Sequence, residues 1–153
     1  MSEANQIFSQ NQMQTLAAAM NRIIPADGDM PAAGDLGLAK FVERAAAESP
    51  GKIRLFTQGL ATIEVTCSQL SGKSFPESTE QDQLQILQSV EFSNAVFFDE
   101  LVRQTYNGYY TNPGVFQAMG YSNSQPDISG QPDLLDESLL ERQRQRPPFW
   151  TKA

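Results

Sequence analysis

Apolar side chains recur at steps of three and four residues over the first two-thirds of this 153-residue chain. Such spacing places them on one face of an α-helix, whereas a half-buried strand would alternate every second residue. The chain has the usual length of one domain, which is long enough to bury a core without disulfides or metals. We therefore predict an all-α fold: a compact bundle of about five helices over residues 1–121, followed by a long irregular C-terminal arm over residues 122–153.

The predicted helix boundaries follow from capping residues, prolines and glycines. The first helix begins after Ser9, whose capping box is completed by Gln12, and it ends before Pro25. The other predicted boundaries are Asp35 to about Ala47 for the second helix, Gly72 as the end of the third, a capping box at Ser78-Thr79-Glu80-Gln81 for the fourth, and Asn107-Gly108 as the end of the fifth. The apolar face of the third helix consists of Phe56, Leu60, Ile63, Cys67 and Leu70.

The sequence contains no histidine, which excludes Ser-His-Asp and Cys-His catalysis and histidine-ligated metals. The single cysteine, Cys67, excludes an internal disulfide. Its place on an apolar helix face is typical of a small buried hydrophobe rather than a reactive thiol. Neighbouring carboxylates such as Asp99 and Glu100 are typical of solvated helix faces. We predict no catalytic, cofactor-binding or metal-binding residue in this chain.

The chain is acidic, with 11 basic and 18 acidic residues and a formal charge of −7. This balance argues against nucleic acids and anionic membranes as partners, since both bind clustered positive charge. No segment is apolar enough over a sufficient length for direct membrane insertion. The N-terminal residues lack the features of a secretory or twin-arginine signal, so the sequence alone favours the cytoplasm.

The C-terminal stretch 141–153 differs from the acidic remainder. It carries four basic residues against Glu141 alone. Its most informative side chains are Arg142, Arg144, Arg146, Phe149 and Trp150. Large aromatic anchors beside arginines are typical of binding hot spots, which favours an arm that docks on a partner. Two alternatives remain, namely a solvated terminus and packing of Trp150 against the chain's own helices.

Several short patterns occur in a fixed order between residues 13 and 121. They are residues 15–17, 23–27 and 31–34, then Gly37 and Phe41, Gly59-Leu60, Phe75, Phe97-Phe98 with Leu101, and residues 105–113, followed by Gly120-Tyr121. In this order and spacing they resemble the gluconate 2-dehydrogenase subunit 3 family, the small subunits of flavin-dependent sugar and sugar-acid dehydrogenases. The resemblance covers most of the chain up to Tyr121.

The resemblance implies a non-catalytic helical partner of a large flavoprotein dehydrogenase of the glucose-methanol-choline type. FAD and substrate would belong to that large subunit, and electrons would leave through a c-type cytochrome or another acceptor. The small subunit would support maturation or export of the large one. Family resemblance implies the periplasm, but this sequence shows no export signal, so the partner would have to carry it or a leader would have to be removed.

Tyrosines near the end of the fifth predicted helix are the other candidate contact residues. We predict that Tyr109, Tyr110 and Tyr121 join the arm residues in the partner interface. An alternative hypothesis is a self-contained small-ligand-binding protein, in which these three residues and Tyr106 line a pocket. Tyrosine suits both roles because its ring offers an apolar face and its hydroxyl a hydrogen bond.

Overall fold

The computed structural model describes residues 6–121, 141, 144 and 145. By contacts the chain divides into two units, Met1–Tyr121 and Ser122–Ala153. The described part of the first unit contains six α-helices and no strand, which confirms the predicted all-α class. The helices are α1 (Gln10–Ile23), α2 (Ala39–Ala47), α3 (Pro50–Ser71), α4 (Glu80–Ser93), α5 (Ala95–Tyr110) and α6 (Pro113–Ala118), with short 3₁₀ turns at Gly34–Leu36 and Phe75–Glu77.

Four fully buried phenylalanines form the centre of the helical core. The ring of Phe56 on α3 meets that of Phe97 on α5 edge to face, with centroids 5.7 Å apart, and lies 6.3 Å from Phe8. Edge-to-face contact pairs the positive rim of one ring with the negative face of the other. The core therefore joins α3, α5 and the segment before α1. The fourth ring belongs to Phe75 in the second 3₁₀ turn.

The apolar face predicted for the third helix is confirmed at four of its five positions, where the side chains are fully buried. These include Cys67, which is a free, buried thiol as expected. Leu70 differs, because it lies in the last turn of α3 and is 57% exposed.

The start of α1 confirms its predicted capping box. The Gln12 amide donates to the Ser9 hydroxyl at 3.3 Å, and the Ser9 amide donates to the Gln12 side-chain oxygen at 2.9 Å. The helix ends at Ile23, and Ile24 is extended in front of Pro25.

The second helix begins four residues later than predicted, at Ala39 instead of Asp35. Asp35 lies in the 3₁₀ turn Gly34–Leu36, which Gly37 ends in a left-handed conformation with φ of 70°. Glycine adopts that conformation without the steric cost that a Cβ would bring. The apolar period alone did not indicate this break.

The prediction that Asn107-Gly108 ends the fifth helix is wrong. The helix continues through Gly108 to Tyr110. Gly108 serves a different purpose, because a Cβ there would lie 2.9 Å from the ring of Phe41 on α2. The glycine thus permits close packing of α2 against α5 rather than a helix stop.

The segment before α1 is attached to α2 by a carboxylate. Oε1 of Glu43 accepts hydrogen bonds from the amides of Ile7 at 2.8 Å and Phe8 at 3.0 Å. These bonds satisfy two backbone amides that lie before α1 and therefore have no partner within a helix. They hold the buried Phe8 ring against the core.

Within the described part of the chain, no helix combines the length and the apolar character needed to cross a membrane.

Candidate partner interface

Exposed aromatic side chains concentrate at the C-terminal end of α5 and on α6. We call this set the aromatic surface: Tyr106, Tyr110, Phe116, Met119 and Tyr121, each between 39% and 63% exposed. Tyr106 and Tyr110 lie one helical turn apart, and their rings stack with centroids 5.9 Å apart and planes 13° apart. The rings of Phe116 and Tyr121 form an edge contact at 5.8 Å. Two ordered aromatic pairs therefore face outward from consecutive elements.

The short helix α6 is fixed by its caps. The Asn112 side chain accepts a hydrogen bond from the Gly114 amide at 2.9 Å, and Pro113 occupies the first helical position. At the other end Gly120 has φ of 79°, and the Tyr121 amide donates to the Phe116 carbonyl at 3.0 Å. This left-handed turn brings the Tyr121 ring back onto Phe116.

Tyr109 is buried and has a structural role. It is only 2% exposed, and its hydroxyl donates to the Pro31 carbonyl at 2.9 Å. Burial raises the pKa of Tyr109, and the neighbouring Tyr110 raises it further. Of the three tyrosines predicted at the interface, only Tyr110 and Tyr121 present exposed rings.

The tyrosines of the alternative ligand-binding hypothesis face in different directions. Tyr109 points into the core, while Tyr106 and Tyr110 stack on the outside. Tyr106 and Tyr110 thus belong to an outward-facing surface, and they do not line an enclosed pocket together with Tyr109. Phe116 was not among the residues predicted from the sequence. The shared exposure of Tyr106 and Tyr110 was predictable from their four-residue spacing, which places both on the side of α5 opposite Leu101.

A groove of about 520 Å³ runs between α2 and α5. Its lining residues are Phe41, Arg44, Ala45, Glu48, Gln104 and Asn107. Gln104 donates to Glu100 at 2.9 Å. Burial raises the pKa of Glu100, but the hydrogen bonds from Gln104 and Arg103 outweigh it, so the pKa lies below its ordinary value. The Glu100 carboxylate beside the groove is thus kept ionised. The polar lining of the groove itself consists of two amides, one arginine and the Glu48 carboxylate, which pairs with Lys52.

A second cavity, of about 320 Å³, lies where α1, α3 and the second 3₁₀ turn meet. Glu64 on its wall accepts hydrogen bonds from the Thr15 hydroxyl and, at 3.4 Å, from the Phe75 amide. Its carboxylate is therefore engaged in joining three elements. Across the described residues, no group of three or more potential metal ligands is placed to bind an ion.

Most of the predicted contact residues of the arm lie outside the described residues, namely Arg142, Arg146, Phe149 and Trp150. Arg144 is described and is exposed. Near it, the Gln145 amide donates to the Glu141 carbonyl at 3.2 Å. A contact role for the arm stays a prediction.

In the part of the chain that the structure describes, the fold is all-α, and the aromatic surface lies on the last turns of α5, on α6 and on the turn that follows it. More specifically, the chain belongs to the gluconate 2-dehydrogenase subunit 3 family, whose pattern it matches over residues 10–126. The family's name describes a subunit of an oxidoreductase complex, so the chain has at least one partner subunit. No curated protein and no solved structure matched the chain significantly.

Proposed function

We propose that this chain is the non-catalytic small subunit that binds, stabilises and helps mature a large FAD-dependent dehydrogenase of the glucose-methanol-choline type. The substrate of the complex would be a sugar, a glycoside or a sugar acid. The aromatic surface is the observation that carries this proposal, because it gives the chain a place to bind another protein. Family membership supports the class of that protein.

Exposed aromatic rings are unfavourable in water, and their burial in an interface is a gain in free energy. Burial of apolar area contributes roughly 25 cal/mol per Å². Tyrosine and phenylalanine are enriched at interfaces for this reason, and tyrosine keeps a hydroxyl available for a rim hydrogen bond. The stacking of Tyr106 on Tyr110 also orders both rings before binding, so less side-chain entropy is lost on association.

The absence of histidine from this sequence supports a division of chemistry between the subunits. Hydride transfer from the substrate would be the chemistry of the FAD in the large subunit. This chain would supply binding energy and correct positioning, and a c-type cytochrome could accept electrons from the complex. Where the large subunit carries an export signal, the folded pair would reach the periplasm together.

Co-purification tests the proposal directly. The chain, carrying an affinity tag, is coexpressed with a large FAD-dependent dehydrogenase of the glucose-methanol-choline type from the same genome, and flavin absorbance is measured in the purified fraction. We expect a yellow complex. A tagged chain that purifies colourless, alone and stable would contradict the proposal.

Paired variants locate the contact. The double variant Tyr110→Ala/Phe116→Ala should weaken binding of the flavoprotein at least about tenfold, equivalent to about 1.4 kcal/mol, with an unchanged helical circular dichroism spectrum. Phe92→Ala is the matched control, since Phe92 is 94% exposed on α4 and lies outside the aromatic surface. Equal binding by the double variant and the control would exclude the aromatic surface as the contact.

Truncation tests the arm separately. Removal of the residues after Asp133 deletes the arginines together with Phe149 and Trp150. We expect the helical unit to remain folded and the complex to weaken, because aromatic burial and arginine–carboxylate pairing would be lost. Unchanged assembly would show that the arm is not part of the interface.

A further inference from the structure

The aromatic surface lies in the longest uncharged stretch of the sequence. Residues 104–126 contain no acidic and no basic side chain, whereas residues 1–103 contain thirteen acidic and seven basic ones. All five members of the aromatic surface belong to this stretch, and so do other exposed residues among them, such as Asn107, Thr111 and Gln117. The end of α5, α6 and the turn after it therefore present rings and neutral polar groups to solvent.

The polar groups of this surface are phenols and carboxamides. The exposed side chains of Tyr106 and Tyr110 each end in a hydroxyl, and those of Asn107 and Gln117 each end in an amide. Such groups both donate and accept hydrogen bonds. They can bind peptide groups and other neutral polar atoms of a partner, but they cannot neutralise a charge.

Charged residues of both signs border the aromatic surface. The basic ones are Arg103, one turn before the surface on α5, and Arg44, across the groove between α2 and α5. Arg103 forms an ion pair with Glu100 on its own helix. The acidic ones, Asp27 and Asp29, lie in the loop after α1, which is hydrogen-bonded to the last turn of α5. An uncharged centre within a charged border is the arrangement of core and rim in a protein interface.

We propose that the aromatic surface binds an uncharged, apolar surface of the large subunit, with no acidic or basic side chain at the centre of the contact. This inference rests on the proposed function, which supplies the partner, and it adds the chemistry of the partner's surface. A charged side chain of the partner, buried against the aromatic surface, would lose its hydration and find no opposite charge there. An apolar surface loses nothing of this kind and gains the burial of the rings.

Insertion of a charge of either sign tests the proposal. Gln117 is exposed on α6 beside Phe116, and Gln117→Glu replaces its amide by a carboxylate of nearly the same shape. Gln117→Lys introduces the opposite charge. Both variants should weaken binding of the large subunit at least about tenfold, because each would bury an ion among uncharged atoms.

Dissociation constants are measured for the full chain with a purified large FAD-dependent dehydrogenase of the glucose-methanol-choline type from the same genome. In about 0.5 M NaCl the Debye length is about 4 Å, so distant charges are screened while buried ones remain effective. The arm is the same in every variant and does not affect the comparison.

Gln58→Glu and Gln58→Lys are the matched controls. Gln58 is exposed on α3, and the adjacent Gly59 packs against Phe97 near the start of α5. By helix rise that point lies about 14 Å along α5 from Tyr106. Both controls should bind as the wild type does, and all four variants should keep its circular dichroism spectrum.

The pattern of the four dissociation constants decides the outcome. Tighter binding by Gln117→Glu would show a basic partner surface, and tighter binding by Gln117→Lys an acidic one, and either would overturn the proposal. Unchanged binding by one or both Gln117 variants would overturn it as well, as would equal weakening by the Gln58 variants. A wild-type chain that binds no flavoprotein would contradict the proposed function itself, whereas opposite effects of the two charges on a complex that does form would overturn this inference alone.

Discussion

Gly59 on α3 lies directly beneath the ring of Phe97 on α5, and a Cβ at Gly59 would come within 2.1 Å of that ring. Real atoms do not approach so closely, so only a glycine permits this contact. The same Phe97 ring meets Phe56 edge to face. The absence of a side chain at one position therefore sets how closely two helices of the core approach.

Replacement of Gly59 by alanine should destabilise the protein. Overpacking of a core costs about 1–3 kcal/mol, which exceeds the gain of about 1 kcal/mol in helix propensity. Gly51→Ala is the control on the same helix, because its Cβ would meet only the Ser49 hydroxyl, at 3.9 Å. Urea unfolding followed by circular dichroism should show a lower midpoint for Gly59→Ala and an equal or higher one for Gly51→Ala. Equal midpoints for the two variants would contradict the close contact.

Sequence patterns predicted helices well but not what each glycine does. The apolar period predicted four of the five positions assigned to the buried face of α3, since amphipathic spacing follows from helix geometry. Gly108 was assigned to a helix stop because a glycine after asparagine often ends a helix. Its actual role depends on the Phe41 ring, which comes from a distant part of the chain and is brought near only by the fold.

The candidate interface, like the helices, was predictable only in part. The aromatic cluster near the end of α5 was visible in the sequence, and Tyr110 and Tyr121 do present exposed rings. The burial of Tyr109 was not visible, because its partner is the Pro31 carbonyl in the loop after α1. Local spacing indicates which residues share a face, whereas burial depends on which other elements cover that face.

Loss of the Glu43 carboxylate should release the segment before α1. Glu43→Ala removes the acceptor shared by the amides of Ile7 and Phe8, and hydrogen bonds to charged groups contribute about 2 kcal/mol. Glu43→Gln retains a carbonyl acceptor and should therefore lose less of the stabilisation that these hydrogen bonds provide. Hydrogen exchange at those two amides measures the release directly.

The control for this change is Glu48→Ala, at the C-terminal cap of α2. Glu48 pairs with Lys52 at 2.6 Å but is largely exposed, and exposed pairs contribute little. Its loss should leave exchange at the Ile7 and Phe8 amides unchanged. Similar protection of these amides in Glu43→Ala and wild type would show that the carboxylate does not fix the segment.

Thr79, and not Ser78, should be the residue whose hydroxyl supports α4. The Thr79 side chain accepts a hydrogen bond from the Asp82 amide at 3.2 Å. The Ser78 hydroxyl instead lies 3.1 Å from the Cys67 sulfur and donates to the Ser74 carbonyl. Thr79→Ala should lower the free energy of unfolding by about 1 kcal/mol through loss of the cap.

The control for the cap is Gln81→Ala. A capping box starting at Ser78 would need the Gln81 side chain, whereas a cap at Thr79 does not. The midpoint temperature of thermal unfolding should therefore be lower in Thr79→Ala and nearly unchanged in Gln81→Ala. A larger loss in Gln81→Ala would place the helix start at Ser78.

Tyr109 should make stability fall in alkaline solution. Burial, with a further contribution from Tyr110, raises its pKa above the ordinary value of 10.0. Below that value both the folded and the unfolded chain keep the proton, so Tyr109 adds no pH dependence. Above it the unfolded chain releases the proton while the folded chain retains it, and the free energy of unfolding then decreases as pH rises.

Tyr109→Phe separates this effect from the hydrogen bond. At neutral pH the variant loses the bond to the Pro31 carbonyl, at a cost of about 1 kcal/mol. At alkaline pH it has no phenol to ionise, so its stability should decline less steeply than that of the wild type and the gap between them should narrow. Tyr106→Phe, which alters an exposed hydroxyl on the same helix, should leave stability at neutral pH unchanged. Urea unfolding across the alkaline range measures both slopes, and parallel curves for wild type and Tyr109→Phe would show that the buried phenol does not titrate with folding.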